Sequence, residues 1–193
     1  MGAIFQSLGR TISAGVVLVI VLILAAGSGI KYDHAWGAFV MRFLHVASGV
    51  MWVGLLYYFN FVQIPSMPKI PDEQKPAIGK VIAPAALFWF RWAALSTLVT
   101  GLILAGMNGY LDALFTFARP FTAIAIGMWL GAIMAFNVWF IIWPNQKKVL
   151  GIVAADADAK AKAARLAMLT SRANTMLSIP MLFCMVAQQN GGL

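Results

Sequence analysis

Five apolar runs, each about 20 residues long, constrain the fold more than any other feature of this sequence. A hydrocarbon core roughly 30 Å thick requires about 20 apolar residues in an α-helix, and a helix satisfies its own backbone hydrogen bonds in lipid. The composition, 62% hydrophobic and 10% charged, excludes an ordinary soluble domain. We therefore predict an all-α integral membrane bundle of five transmembrane helices, forming one domain over residues 1–193. The predicted spans are residues 11–30, 36–62, 83–107, 121–143 and 171–188.

The lysines and arginines predict how these helices are oriented. Most lie at the N-terminus or in the loops after the second and fourth spans, whereas only Lys31 and Arg119 lie in the opposite loops. The positive-inside rule then predicts a cytoplasmic N-terminus and a periplasmic C-terminus in a multi-pass protein of the bacterial inner membrane. The net charge of +8 fits this asymmetry, so we expect membrane lipids and no nucleic acid as partners. The first span is similar to a signal peptide, but we expect it to be retained as an anchor helix.

Two loops on the predicted cytoplasmic side have a composition of their own. The segment 64–84 contains five prolines, which predict an extended, partly polyproline path. Residues 152–170 are rich in alanine and place Asp156 four residues before Lys160, a spacing that stabilises a helix. We expect this second loop to be a cytoplasmic helical extension of the fifth span.

Polar side chains follow one face of the second span. Such groups are costly in lipid, at about 2.5 to 3.5 kcal/mol for each ionisable residue on insertion scales, so they usually face protein, water or a cofactor. At 100° per residue, the polar residues from Arg42 to Gln63 fall within an arc of roughly 80°. The fifth span also has a polar face, so we expect these two faces to meet. The predicted polar seam consists of Arg42, Trp52, Asn60, Gln63, Asn137, Arg172 and Asn174.

His45 is the candidate metal or cofactor ligand, because it lies well inside the second span. A neutral imidazole at this depth can ligate a haem iron or another metal, relay a proton, or form a hydrogen bond between helices. The other histidine, His34, is about 16 Å away along the same helix, so one iron cannot reach both. The second axial ligand of a haem b would be Met181 or Met185, or His45 of a second copy in a homo-oligomer. The two methionines are more simply interpreted as flexible core residues.

Arg91 lies between aromatic residues of the third span, in the stretch LFWFRWAAL. Its guanidinium can bind a haem propionate, a lipid phosphate or a carbonyl, or stack on Trp89 or Trp92. It can equally extend to the cytoplasmic interface. We include Arg91 among the candidate cofactor-binding residues, as a partner for a haem propionate.

The sequence provides little for catalysis or transport. It has no P-loop, no G-x-S-x-G and no H-E-x-x-H motif, and its six acidic residues lie in loops or at span ends. We therefore predict no catalytic residue and no enzymatic activity of the chain alone. A transporter is disfavoured, because proton-coupled carriers usually need an acid at membrane depth.

Four stretches resemble the membrane domain of cytochrome-linked bacterial urate oxidases, the urate oxidase N-terminal domain family. They are HVASGVMWVGLLYYFNFVQIP, FWFRWAALSTLVTGLIL, FNVWFIIWPNQKKVLG and SRANTMLSIPMLFCMVA, between Trp36 and Ala187. In the urate-linked members a c-type cytochrome follows the membrane domain, and this sequence has no C-x-x-C-H motif for such a haem. The positions that match the family pattern are His45, Trp52, Asn60, Arg91, Asn137, Pro144, Asn145, Arg172 and Asn174.

The resemblance implies a membrane subunit that works with a redox partner. We predict electron transfer or anchoring within a respiratory or oxidase complex, with haem b at His45 and with other membrane subunits or a cytochrome c as partners. The alternative is an accessory subunit without a cofactor, whose polar faces bind neighbouring subunits. Urate oxidation by the assembly is implied by the family name alone.

Overall fold

Five long helices form the architecture of the protein. The computed structural model describes residues 2–191, and this range contains helices and turns but no strand. Two compact units are present, one ending at Gly37 and one beginning at Ala38. The all-α prediction is confirmed. The long helices are α1 (Leu8–Ala26), α2 (His34–Tyr57), α3 (Ala83–Met107), α4 (Thr122–Phe136) and α5 (Ala157–Asn190).

Four continuous helical segments are long and apolar enough to cross a membrane. They correspond to the first four predicted spans, although the first helix ends at Ala26 rather than at residue 30, and they agree with a membrane protein. The fifth predicted span lies within α5, which is long enough at 34 residues but is too polar to be among the four. The four segments are Leu8–Ala26, His34–Lys69, Lys75–Met107 and Thr122–Val149.

The predicted extended path for residues 64–84 is wrong, because short helices occupy most of this segment. Their prolines stand in the first two positions of each helix, where proline is best tolerated. The short helical segments of the chain are Gly2–Phe5, Ile64–Ser66, Met67–Lys69 (3-10), Lys75–Ala77, Ala113–Thr116 and Trp143–Val149.

Three π-helical segments interrupt the long helices, at Tyr58–Gln63, Ile78–Ile82 and Asn137–Ile142. Each ends two residues before a proline, namely Pro65, Pro84 or Pro144. A proline cannot donate a hydrogen bond to the carbonyl four residues earlier, and its ring collides with that carbonyl. In each of the three cases this carbonyl belongs to the π segment, so the wider turn is found where the proline disturbs the α-helix. One or more residues from each π segment line a common cavity of about 220 Å³, so the three segments lie at the same end of the bundle.

The N-terminus of α5 differs in detail from the predicted helical extension. The helix begins at Ala157 rather than at residue 152, because the Asp156 carboxylate accepts a hydrogen bond from the Ala159 N–H at 2.7 Å and caps it. The predicted pairing of Asp156 with Lys160 is absent, since Lys75–Asp72 is the ion pair found among residues 2–191. From Ala157 the helix is continuous, which confirms the helical part of the prediction.

The core of the second unit lies between α2, α3, α4 and α5. Its largest completely buried apolar side chains are Trp52, Phe90, Leu56, Met134 and Val138. The polar side chains of Asn174 and Ser178 are also completely buried in this core. Helix α5 packs along α4 and its continuation, and this packing forms one wall of the site described next.

Candidate functional site

His45 is held in a defined orientation by the backbone of α3. Its Nδ1 lies 2.9 Å from the carbonyl oxygen of Thr97. A carbonyl can only accept, so Nδ1 carries the hydrogen and Nε2 of the neutral ring keeps its lone pair. No hydrogen bond to Nε2 is found within the described part of the chain. A histidine that ligates a metal commonly has this arrangement, with the second ring nitrogen donating to a carbonyl.

Gly101 makes room for the imidazole on α3. A Cβ at this position would lie 2.9 Å from Cε1 and 3.1 Å from Nδ1 of His45. Any larger residue would therefore displace the ring from the Thr97 carbonyl. The absence of a side chain at Gly101 lets α3 supply both the hydrogen-bond acceptor and the space for His45.

His45 lines a cavity between α2, α3, α4 and α5. The cavity has a volume of about 630 Å³, within the range of about 300 to 1,000 Å³ that is typical of ligand pockets. A smaller cavity of about 270 Å³ adjoins it and shares His45, Trp52, Met181 and Met185. Most of the lining side chains are apolar, so the site suits a large, mainly hydrophobic ligand.

Two polar groups of the cavity lining have no hydrogen-bond partner among the residues described. They are the Nε1 of Trp52 and the Nε of Arg42, and both atoms are buried. A buried donor without an acceptor is costly, so both groups are suited to a ligand that brings an acceptor. Tyr110 also lines the cavity, and burial raises the pKa of its hydroxyl, which therefore stays protonated.

The methionines predicted as candidate ligands line the same cavities as His45. Met181 and Met185 of α5 border both cavities, together with Met128 of α4. Met181 is almost completely buried. The structure thus places His45, Met181, Met185, Arg42 and Trp52 around one cavity, and the role of the first three as ligands stays a prediction.

The polar faces of α2 and α5 meet, as predicted. The Asn60 amide donates to the Ser171 hydroxyl at 2.8 Å, and the Tyr57 and Ser178 hydroxyls are 3.0 Å apart. The Asn60–Ser171 contact involves a residue of a π segment, whereas Tyr57 also lines the His45 cavity. Both contacts act as hydrogen bonds between helices.

Asn174 connects α5 to α4 rather than to the cavity. Its amide donates to the Met134 carbonyl at 2.9 Å, and its side-chain oxygen accepts from Asn137 at 2.8 Å. The polar seam therefore divides into four groups. Arg42 and Trp52 line the His45 cavity. Asn60, Asn137 and Asn174 connect helices. Gln63 lines the separate 220 Å³ cavity, and Arg172 is exposed.

Arg91 is not among the residues that line the His45 cavity. It lies ten residues before Gly101 on α3, which corresponds to about 15 Å along the helix. Its guanidinium carbon stacks 3.4 Å from the ring centroid of Trp143, instead of on Trp89 or Trp92 as the local sequence suggested. Arg42 therefore replaces Arg91 as the arginine next to the candidate ligand site.

Sequence reasoning missed Thr97, Gly101 and Met128. Thr97 contributes its carbonyl, a group that every residue has, so its side chain gives no signal. Gly101 follows Thr97 by four residues, which places two small residues on one helix face. That spacing was the one available indication that another helix approaches α3 closely.

The comparisons identify a family for the second half of the chain. A family model described as urate oxidase N-terminal matches residues 110–191, which is less than half of the sequence. No curated protein and no solved structure matches. The matched segment contains α4, α5 and the methionines of the cavity, whereas His45 lies outside it. The predicted family is thus confirmed by a match over residues 110–191, which contain the last two of the four motifs.

Proposed function

We propose that this protein is a haem b-binding membrane subunit that transfers electrons within a respiratory or oxidase complex. The observation that supports the proposal is the fixed His45 ring, whose Nδ1 is bonded to the Thr97 carbonyl while Nε2 is left for a ligand at an apolar cavity. When bound, haem iron accepts and donates single electrons. The subunit would exchange them with a cytochrome c or another membrane subunit.

The residues present fit such a group. His45 would bind the iron through Nε2, and the second protein ligand would be Met181, Met185 or, in a homo-oligomer, His45 of a second copy. Arg42 would balance the charge of a propionate, since its buried Nε has no partner in residues 2–191. The apolar lining excludes water and holds the group within the bundle.

Absorbance of the purified protein tests this proposal. We expect a reduced-minus-oxidised Soret and alpha band that is lost in His45→Ala and retained in His34→Ala, the matched control at the other histidine. Met181→Leu or Met185→Leu should change the band positions, whereas Met176→Leu, on the exposed side of α5, should not. A wild-type protein that is colourless after purification from its native membrane, and that takes up no added haem, would refute the proposal.

The second candidate function is that of an accessory subunit without a cofactor. It is favoured by the same bond, because Nδ1 of His45 donating to Thr97 ties α2 to α3 without any ligand. In that case His45→Ala would weaken the assembly of the complex, and the wild-type protein would be colourless. A transporter is a third class, and substrate flux in liposomes would support it.

The membrane topology forms part of the proposal. We place the N-terminus in the cytoplasm and α5 across the bacterial inner membrane as a fifth span, so that the C-terminus is periplasmic. Reporter fusions to the loop before α4 and to the C-terminus test this arrangement, since both are expected to lie in the periplasm. Purification of the native assembly would show whether urate oxidation is its activity.

A further inference from the structure

A cluster of two cations around one tryptophan lies apart from the His45 cavity. The Arg91 guanidinium carbon is 3.4 Å from the centre of the Trp143 ring, and Lys147 Nζ is 5.9 Å from the same centre. Both separations fall within the distance of about 6 Å at which a cation and an aromatic ring attract each other. We call Arg91, Trp143 and Lys147 the tryptophan cluster.

The positive charges of the tryptophan cluster lack a counter-charge. Within residues 2–191, no carboxylate pairs with Arg91 or Lys147. No hydrogen bond from the Arg91 guanidinium to the protein is found in this range, and its Nη1 is buried. A guanidinium has five N–H donors, and leaving them without acceptors near lipid is costly. An acceptor from outside the chain is therefore required.

The position of the cluster indicates where that acceptor comes from. Lys147 follows Trp143 by four residues, or about 6 Å of helix, and it lies near the end of the segment Thr122–Val149 that is suited to cross a membrane. Tryptophan and lysine at such a helix end are typical of the boundary between headgroups and acyl chains. Lys147 thus lies near headgroup depth, and Trp143 with the stacked Arg91 lies about one helical turn further toward the acyl chains.

The surroundings of the cluster favour a lipid over a free anion. Trp89, Trp92 and Phe140 are 55%, 48% and 68% exposed, and they offer an apolar surface on the same helices. Trp92 also packs against Trp139, with ring centres 5.6 Å apart. A ligand that joins a negative group to hydrocarbon chains would satisfy the cations and cover this surface together.

We propose that Arg91, Trp143 and Lys147 bind the phosphate of an anionic phospholipid. Arg91 donates two hydrogen bonds to the phosphate oxygens while its face stays on Trp143, which orients the guanidinium. Lys147 adds a second charge, and the acyl chains lie along the exposed aromatic residues. The site is independent of the cavity and of any electron transfer.

Native mass spectrometry of the full chain in detergent, titrated with phosphatidylglycerol or phosphatidylcholine, tests the proposal. We expect phosphatidylglycerol to bind at least about tenfold more tightly, and Arg91→Gln to weaken it by about tenfold. Lys148→Gln, which removes the same charge from an exposed neighbour, should change the affinity less than about twofold. If Arg91→Gln does not fold, Arg91→Lys and Lys147→Gln replace it, each with an expected loss of several-fold.

Two results would overturn the proposal. An equal loss in Lys148→Gln and Arg91→Gln would show that diffuse surface charge, rather than a built site, attracts the lipid. Displacement of phosphatidylglycerol by a modest excess of inorganic phosphate would show that the cluster binds a free anion. Retention of the lipid in excess phosphate supports the contribution of the acyl chains.

Discussion

Substitution of Gly101 by alanine tests the geometry of the candidate site directly. The new Cβ would lie 2.9 Å from Cε1 of His45, which real Cβ atoms essentially never approach. The ring must move, and it then loses its bond to the Thr97 carbonyl. That bond is worth about 0.6 to 1.7 kcal/mol between membrane helices, and overpacking adds about 1 to 3 kcal/mol. We expect Gly101→Ala to lower the free energy of unfolding by about 1 to 3 kcal/mol after the gain in helix propensity is included.

Gly54→Ala is the matched control for this change. Gly54 also lies inside a long helix, but a Cβ there would have no atom within 4 Å. The substitution should therefore stabilise the protein slightly, by about 0.5 to 1 kcal/mol through helix propensity. The two glycine substitutions should thus have opposite signs in equilibrium unfolding in mixed micelles.

A double variant identifies the cause of the predicted loss. In His45→Ala the space beside Gly101 is empty, so adding Gly101→Ala should cost nothing further. The coupling free energy from this double-mutant cycle should be about 1 to 3 kcal/mol. Equal stability of Gly101→Ala and Gly54→Ala, or a cycle that is additive within about 0.5 kcal/mol, would refute the packing of His45 against Gly101.

Three further predictions concern the scaffold. Asn174→Leu should lower the free energy of unfolding by about 1 to 3 kcal/mol, because the Met134 carbonyl and the Asn137 amide lose their hydrogen-bond partner. Asn145→Leu breaks a hydrogen bond within its own helix alone, so it should lower the free energy of unfolding by less in the same micelle assay. Gly127→Ala should be destabilising, since the new Cβ would lie 3.1 Å from the Cβ of Cys184 on α5. Gly131→Ala should not be destabilising, because a Cβ there would have no atom within 4 Å. Equal unfolding midpoints of the two variants would contradict this prediction. Asp156→Ala removes the N-terminal cap of α5 and should lower its local stability by about 0.5 to 2 kcal/mol. Amide hydrogen exchange should then increase in the first turn of α5 only. Unchanged exchange in that turn would argue against the cap.

The helices and the polar faces could be predicted from the sequence, because both depend on which residue types recur along the chain. Apolar length gives the helices, and polar residues on one face of the second span indicate that this face meets protein. His45 and the two methionines follow from the same reasoning. The partner of Arg91 could not be predicted, since Trp143 is 52 residues away and several nearer tryptophans were equally plausible by sequence.

The proline-rich segment shows a different limit of sequence reasoning. Proline is suited both to an extended path and to the first turn of a helix, and its presence alone does not distinguish the two. Five prolines within residues 64–84 suggested the first, and the structure has mostly the second. The π segments were missed for a related reason, because a wheel of 100° per residue assumes an uninterrupted α-helix.

The three π segments also affect how chains of this kind can be compared. A π turn contains one residue more than the α-helical turn it replaces, so it takes up that residue within the turn, and removing the residue would leave a plain α-helix whose flanking residues stay in phase. All three turns lie at the end of the bundle away from Arg42 and His45. Single-residue gaps at these places in an alignment would thus mark the loss of a π turn, and they would leave both the proline-rich end and the imidazole in register.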